Sequence, residues 1–134
     1  MVIDASALIA ILLDEPDRRS LEVAMESDAV RLVSAMTKLE AGIVMVGRFG
    51  IDGGVRLDRL LARIGATIVS FDDAQADIAR EAFARYGKGR HRAGLNFGDC
   101  AAYALAVLEA EPLLFKGTDF AATDVEVAAL PAPE

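Results

Sequence analysis

Four acidic side chains of this chain sit where a carboxylate is costly. Asp4 closes the first apolar segment, Val2-Ile3. Glu40 interrupts an apolar helix face, Asp99 opens a second apolar helix, and Asp119 follows the last buried-looking run, Pro112-Leu-Leu-Phe115. A carboxylate at the edge of a core needs pairing, hydrogen bonds or a bound cation. Clustered carboxylates repel one another, and a cation offsets that repulsion. Carboxylate oxygens are the hard ligands that Mg²⁺ or Mn²⁺ prefers. One shared metal site built from all four acids is the chemistry that this placement suggests.

Each acid also has a structural alternative. Asp4 precedes a helix at once and could simply cap it. Glu40 lies four residues after Met36 and three before Ile43, so it shares their helix face and could be a solvated border residue. Asp99 stands three residues after Asn96, close to a capping-box position, where the helix dipole also favours an acid. Asp119, in Gly117-Thr-Asp-Phe120, could belong to a surface turn, and Asp124 is a second candidate for its place. Ser6 adds a hydroxyl two residues after Asp4, able to cap the helix or to bond a carboxylate. All four acids nevertheless fall at the same kind of place in an alternating chain.

The elements that must position them are short apolar strands separated by helices. Strands are expected at Val2-Ile3, Ala29–Val33, Ala66–Val69 and Pro112–Phe115, with Val125-Glu-Val127 as a fifth, edge strand. Helices are expected over Ala5–Leu13, from Pro16 to about Ser27, after a Ser34 cap, over Val55–Ile64, from Asp72 to near Gly87, and from about Phe97 to Glu109. Gly50 to Gly54 reads as a turn. The alternation predicts an α/β fold whose parallel sheet is covered on both faces. Ligands of such sheets bind beyond the carboxyl ends of the strands, where Asp4 and Asp119 fall.

The chain has 134 residues, is 54% hydrophobic, and has no Trp. That length suits one domain, over residues 1–130, with a frayed tail at 131–134. The composition argues against disorder. Its longest uncharged apolar stretches, Ala5–Leu13 and Cys100–Leu108, are too short to span a bilayer, for which about 20 residues are needed. The first residues carry no basic leader segment, so a cytoplasmic protein is expected. Cys100 is the single cysteine, which leaves no intramolecular disulfide. The net charge of −7 argues against a polyanionic partner. From Ala82 to Gly98, however, there is no acid, while Arg85, Lys88, Arg90 and Arg92 are present. This stretch is the candidate for holding a nucleic-acid backbone. With His91 as the single histidine, a nuclease using paired histidines is excluded within one chain.

Four segments in order carry a resemblance. They are Met1-Val-Ile-Asp-Ala-Ser-Ala-Leu-Ile-Ala10, Thr37-Lys-Leu-Glu40, Leu95-Asn-Phe-Gly-Asp-Cys-Ala-Ala-Tyr-Ala104 and Leu114-Phe-Lys-Gly-Thr-Asp-Phe120. Together they resemble PIN-domain ribonucleases, and more narrowly the VapC toxins of bacterial toxin–antitoxin pairs. The resemblance implies a three-layer α/β/α sandwich around a parallel sheet of about five strands. It implies Asp4, Glu40, Asp99 and Asp119 as the catalytic acids, with Asp4, Asp99 and Asp119 on Mg²⁺ or Mn²⁺ and Ser6 and Thr118 in support. An RNA substrate, a homodimer and a small VapB-type antitoxin are implied as well. Divalent metal in such a site polarises a scissile phosphate and acidifies water. Glu40 or Asp119 would orient the attacking water or hold a second ion.

Two rivals share the pattern. A haloacid-dehalogenase-type phosphohydrolase also begins with an Asp at a strand end, but it needs a second Asp where this chain has Ser6. A non-catalytic interaction or regulatory module on the same fold would not need the full acid set. A dinucleotide-binding protein is disfavoured, because Asp4-Ala-Ser-Ala7 offers no Gly-rich turn for a pyrophosphate.

Overall fold

The computed structural model describes residues 1–132; the end of the expected tail, Pro133 and Glu134, lies outside the described residues. The chain runs β1 (Val2–Ile3), α1 (Ala5–Leu12), α2 (Arg18–Glu26), β2 (Leu32–Ser34), α3 (Ala35–Phe49), α4 (Ile51–Arg63), β3 (Thr67–Val69), α5 (Asp73–Tyr86), α6 (Phe97–Glu109) and β4 (Leu113–Leu114). A 3-10 turn follows at Asp119–Ala122. Among the described residues four strands form one sheet in the order β3-β2-β1-β4. All its pairings are parallel, with Val2 opposite both Leu32 and Leu113.

Neighbouring strand residues serve opposite cores, as the period of two demands. Ile3, Val33 and Leu114 pack with α1, α2 and α4 on one face, around Leu8, Ile11, Leu21 and Leu60. Val2, Leu32 and Leu113 pack with α5 and α6 on the other, around Leu95, Tyr103 and Leu105. The three-layer expectation therefore holds, and the strands carry apolar side chains on both faces because both are covered.

The expected fifth strand is not formed. Val127 makes one parallel bridge to Leu113, through Leu113 N–H to Glu126 O (2.8 Å) and Ala128 N–H to Leu113 O (3.0 Å). With β4 only two residues long, its outer edge offers a single residue to pair with, so the bridge does not extend into a ladder.

The expected turn at Gly50–Gly54 narrows to one residue. Gly50, at φ +66°, ends α3 and leads directly into α4. Gly53 and Gly54 lie inside α4. Gly53 is there for close packing, since a Cβ on it would overlap the Met45 carbonyl of α3.

The order of the strands also locates the site. The chain steps from β1 to β2 to β3 in one direction, then returns through α5 and α6 to β4 on the far side of β1. This reversal leaves a crevice at the carboxyl ends of β1 and β4, where open parallel sheets bind ligands.

The α3–α4 contact gives a prediction from two adjacent glycines. Gly53→Ala should destabilise the protein by about 2 kcal/mol or more, because backbone must move to admit the methyl group. Gly54→Ala meets only Val46 Cγ2 at 3.7 Å. It should stabilise by about 0.5–1 kcal/mol through helix propensity. Denaturant unfolding of both variants checks the opposite signs.

Candidate active site

Asp4 is the residue at which β1 becomes α1. Its backbone N–H donates to Leu114 O (2.9 Å), which continues the pairing with β4. Its side chain caps α1, accepting from the Ser6 N–H (3.1 Å) and the Ser6 hydroxyl (2.7 Å), both at Oδ2. The Ser6 Oγ in turn accepts from the Lys116 N–H (2.9 Å), beyond β4. The cap employs only one carboxylate oxygen, so it does not exclude a second role for Asp4. Asp4 is 3% exposed, and its other oxygen, Oδ1, is buried without a hydrogen-bond partner. Burial raises the carboxyl's pKa most and Asp119 adds to it, against the lowering by the Ser6 bonds and the Ala5 N–H.

Asp99 follows the same pattern. It closes a capping box on α6: its N–H donates to Asn96 Oδ1 (2.9 Å), and its Oδ2 accepts from the Asn96 N–H (3.0 Å). Burial, then the charges of Asp4 and Asp119, push its pKa up to about 6 against that hydrogen bond. The capping role suggested by spacing is real and leaves the carboxylate within the electrostatic reach of Asp4.

Glu40 reaches the site from α3. Its carboxylate lies over Gly98, where any Cβ would collide with it. Gly98 lies inside α6 at a normal helical φ, so the close approach explains the glycine better than backbone conformation does. Burial raises Glu40 to about 7, with further contributions from Asp4 and Asp99. Glu40 and Gly98 also line a cavity of about 370 Å³ with Asn96 and Phe97.

Asp119 is exposed and starts the 3-10 turn after β4. Gly117, at φ +101°, makes the bend, and Phe115 packs at a tilt against the buried Phe120, with ring centroids 5.1 Å apart, which pins both ends of the loop. Lys116 forms ion pairs with Glu15 and with Asp17 (3.5 Å), tying the loop to the α1–α2 connection. Thr118 is exposed beside Asp119 and makes no side-chain cap bond. Asp124 has a different environment. It accepts from the Tyr103 hydroxyl and pairs with Arg85 (3.5 Å), and the tyrosine bond holds its pKa low.

The four acids thus share one neighbourhood. Among the described residues, however, no three of them close around a single point. The donor set fits a hard divalent cation: carboxylates from several elements, one with an orphaned buried oxygen, and space above Gly98 filled by another.

The basic stretch is divided in its roles. Arg85 stacks on Tyr86 at 4.8 Å, donates to the Tyr86 hydroxyl (2.8 Å) and pairs with Asp124. Arg90 donates to Ala84 O (3.0 Å). Lys88 and Arg92 are exposed and carry no ion pair among the described residues. His91 serves the loop itself, its Nδ1 accepting from the Ala93 N–H (3.0 Å) and its ring set edge-on to Tyr86. Two contributors escape a reading by charge alone, Gly98 and Lys116. A glycine within the first turn of an apolar helix, one residue before an acid, was the available signal for the first; the second acts through its backbone N–H, which leaves no mark in the residue type.

Comparison with known proteins agrees with this geometry. The PIN domain model matches residues 1–126. Ribonuclease VapC30 of Mycobacterium tuberculosis is 53% identical over 131 residues, covering 98% of this chain and 100% of its own. The crystal structure of M. tuberculosis VapC20, a sarcin–ricin-loop-cleaving toxin, superposes with a TM-score of 0.79 at 16% identity, covering 97% of this chain and 98% of that one. VapBC2 from Rickettsia felis, bound to promoter DNA, gives 0.73 at 14% identity, with 94% of each chain covered. The matched span contains every element that carries an acid of the site, and the chain belongs to the PIN-domain family, among its VapC ribonucleases.

Proposed function

We propose that this protein is the toxin of a toxin–antitoxin pair and a Mg²⁺-dependent ribonuclease that hydrolyses RNA phosphodiester bonds. The observation that carries this reading is the orphaned Asp4 Oδ1, buried at the strand crossover beside Asp99 and within the field of Asp119. Asp4, Asp99 and Asp119 would hold the metal, Mg²⁺ or Mn²⁺. Asp119 is preferred to Asp124 because its charge acts on Asp4 and Asp99, while Asp124 is committed to Tyr103 and Arg85. Bound metal supplies Lewis acidity toward the scissile phosphate.

The chain's own groups do the remaining work. Ser6 fixes Asp4 by holding Oδ2, which leaves Oδ1 available to a metal. Glu40 titrates near neutrality, the range that suits a group accepting a proton from attacking water. Thr118 adds a hydroxyl beside Asp119. Lys88 and Arg92, exposed and without an ion pair among the described residues, would contact the phosphate backbone, with Arg85 and Arg90 as further candidates. The tied-up Ser6 also disfavours the dehalogenase-type alternative, which places an acid there.

The partner we propose is a cognate VapB-type antitoxin, in line with VapBC2 of Rickettsia felis and a toxin-antitoxin complex of Klebsiella pneumoniae among the structural neighbours. A homodimer is proposed with it. Both need apolar surface, and α3 offers Leu39, Ile43 and Val46 along a groove of about 670 Å³ shared with Leu57 of α4. No helix of the described residues is long and apolar enough to cross a membrane.

The functional test is Asp99→Asn. It should abolish RNA cleavage in Mg²⁺ while leaving the circular dichroism spectrum intact; retained activity would refute the assignment. Mg²⁺ should also raise the melting temperature of the wild-type protein and do so far less for Asp99→Asn.

The acids make a pH prediction for the metal-free protein. Asp99 and Glu40 are raised, to about 6 and about 7, so the native state keeps protons that the unfolded chain has already lost. The unfolded state therefore binds fewer protons between about pH 4 and pH 7, and stability falls as pH rises through that window. Unfolding midpoints in chelator should decline across it, and Asp99→Asn should flatten the decline and raise the midpoint at pH 7.

A further inference from the structure

Phe97 is the first residue of α6, two before Asp99, and it is 77% exposed. Among the described residues it is more exposed than the other exposed phenylalanine rings, Phe49 (40%) and Phe83 (42%), and it stands beside an acid. It stands between two cavities. One is the cavity of Glu40 and Gly98. The other, about 440 Å³, lies between α5 and α6.

This second cavity has the form of a slot. Phe71, Phe83 and Phe97 border it, with Ala76, Ala79 and Ala101 among its small residues. On α6, Phe97 and Ala101 share a face at i and i+4; on α5, Ala76, Ala79 and Phe83 do so at i, i+3 and i+7. None of the ring pairs in the described residues includes Phe71, Phe83 or Phe97, so these rings are not spent on one another. Arg80 also lines the slot, and its guanidinium is held only by an exposed contact to Asp77 at 3.5 Å. The volume falls in the range of small-molecule sites, about 300–1,000 Å³.

We propose that this slot, with Phe97 as its stacking face, takes one unpaired nucleobase of the RNA next to the scissile phosphate. The inference rests on the ribonuclease reading above and adds a specificity-determining residue to it. Single-stranded RNA is held by bases stacked on aromatic side chains while cations follow its backbone. Phe97 lies on the path from the acids to the slot. The cationic side chains agree: Arg80 lines the slot, and the acid-free stretch with Lys88 and Arg92 runs from α5 into Asn96. Selection of a splayed-out base also directs the enzyme to loops and unpaired segments, where the strand is free to enter.

The test uses the full chain and short, unstructured RNA oligonucleotides with one abasic nucleotide moved along the strand. Wild-type protein should lose about 5- to 100-fold in kcat/KM when the abasic site reaches one position. Phe97→Ala and Phe97→Leu should show a comparable loss on intact RNA, expressed in KM, and no further loss at that abasic position. Phe97→Tyr should restore wild-type behaviour. Quenching of 2-aminopurine at the same position on Asp99→Asn protein reports stacking without cleavage and should vanish when Phe97→Ala is added. Wild-type cleavage that is indifferent to every abasic position, with an unchanged KM for Phe97→Ala, overturns the inference. So does dissociation of a dimer by Phe97→Ala, which would make the slot a protein interface. If the wild-type protein cleaves no RNA, the ribonuclease reading fails, and the 2-aminopurine signal decides the base slot by itself.

Discussion

A buried carboxylate with one oxygen held and one left over is the constraint on which the rest of the molecule depends. Asp4 sits at the end of a central strand with almost no contact with water. Ser6 holds Oδ2 by a backbone and a hydroxyl donor, and Lys116 N–H holds the Ser6 hydroxyl from the β4 side. One short relay thus joins the ends of two adjacent strands to the first turn of a helix. It occupies one carboxylate oxygen and leaves the other without a hydrogen-bond partner. An unsatisfied buried oxygen costs roughly 1–3 kcal/mol, and more when charged. Large apolar cores on both faces of the sheet offset this cost.

The same economy recurs at Asp99 and Glu40. At Asp99 one oxygen closes the capping box that starts α6, so the residue both begins a helix and faces the site. Glu40 depends on an absence, because only the missing side chain of Gly98 lets its carboxylate lie against α6. Asp119 depends on loop anchoring by Phe115, Phe120 and the Lys116 ion pairs. Each acid is thus fixed by a different local device, and the strand crossover brings the four devices together.

Much of this was legible in the sequence, to different depths. The alternation of two- and three-residue apolar strands with helices announces a parallel sheet, and the carboxyl-end rule places Asp4 and Asp119 at its ligand-binding edge. The capping alternatives for Asp4 and Asp99 are also legible, and both caps form while each carboxylate stays within the electrostatic reach of another acid. One glycine reading fails: Gly53 looks like part of a turn and is a packing contact. The role of Gly98 is only faintly marked by its place before an acid, and for both glycines the cause lies on another helix. The fifth strand fails for lack of a partner: Val125-Glu-Val127 has strand-like residues, but two-residue β4 gives it only Leu113 to pair with. Arg85 shows the limit of counting charge. It belongs to the basic stretch by sequence and to Asp124 and Tyr86 by structure.

That division of the basic stretch bears on how an acidic protein can hold an anionic strand. Net charge is −7, and four acids lie at the centre of the site, so long-range attraction for RNA is weak. Arg85 is committed to the protein and Arg90 donates to a backbone carbonyl, so Lys88 and Arg92 are the freer cations of the stretch. Each phosphate neutralised adds only a modest, salt-dependent increment. Under the proposed function, affinity would come from elsewhere: from cation-mediated contact at the acids and from apolar contact with bases. The exposed ring of Phe97, placed between the Glu40 cavity and an aromatic-walled slot, supplies a surface for the second. A site of this kind discriminates by the local exposure of a base more than by total charge, which is what an enzyme needs to act on a few RNA sites amid a large excess of polyanion.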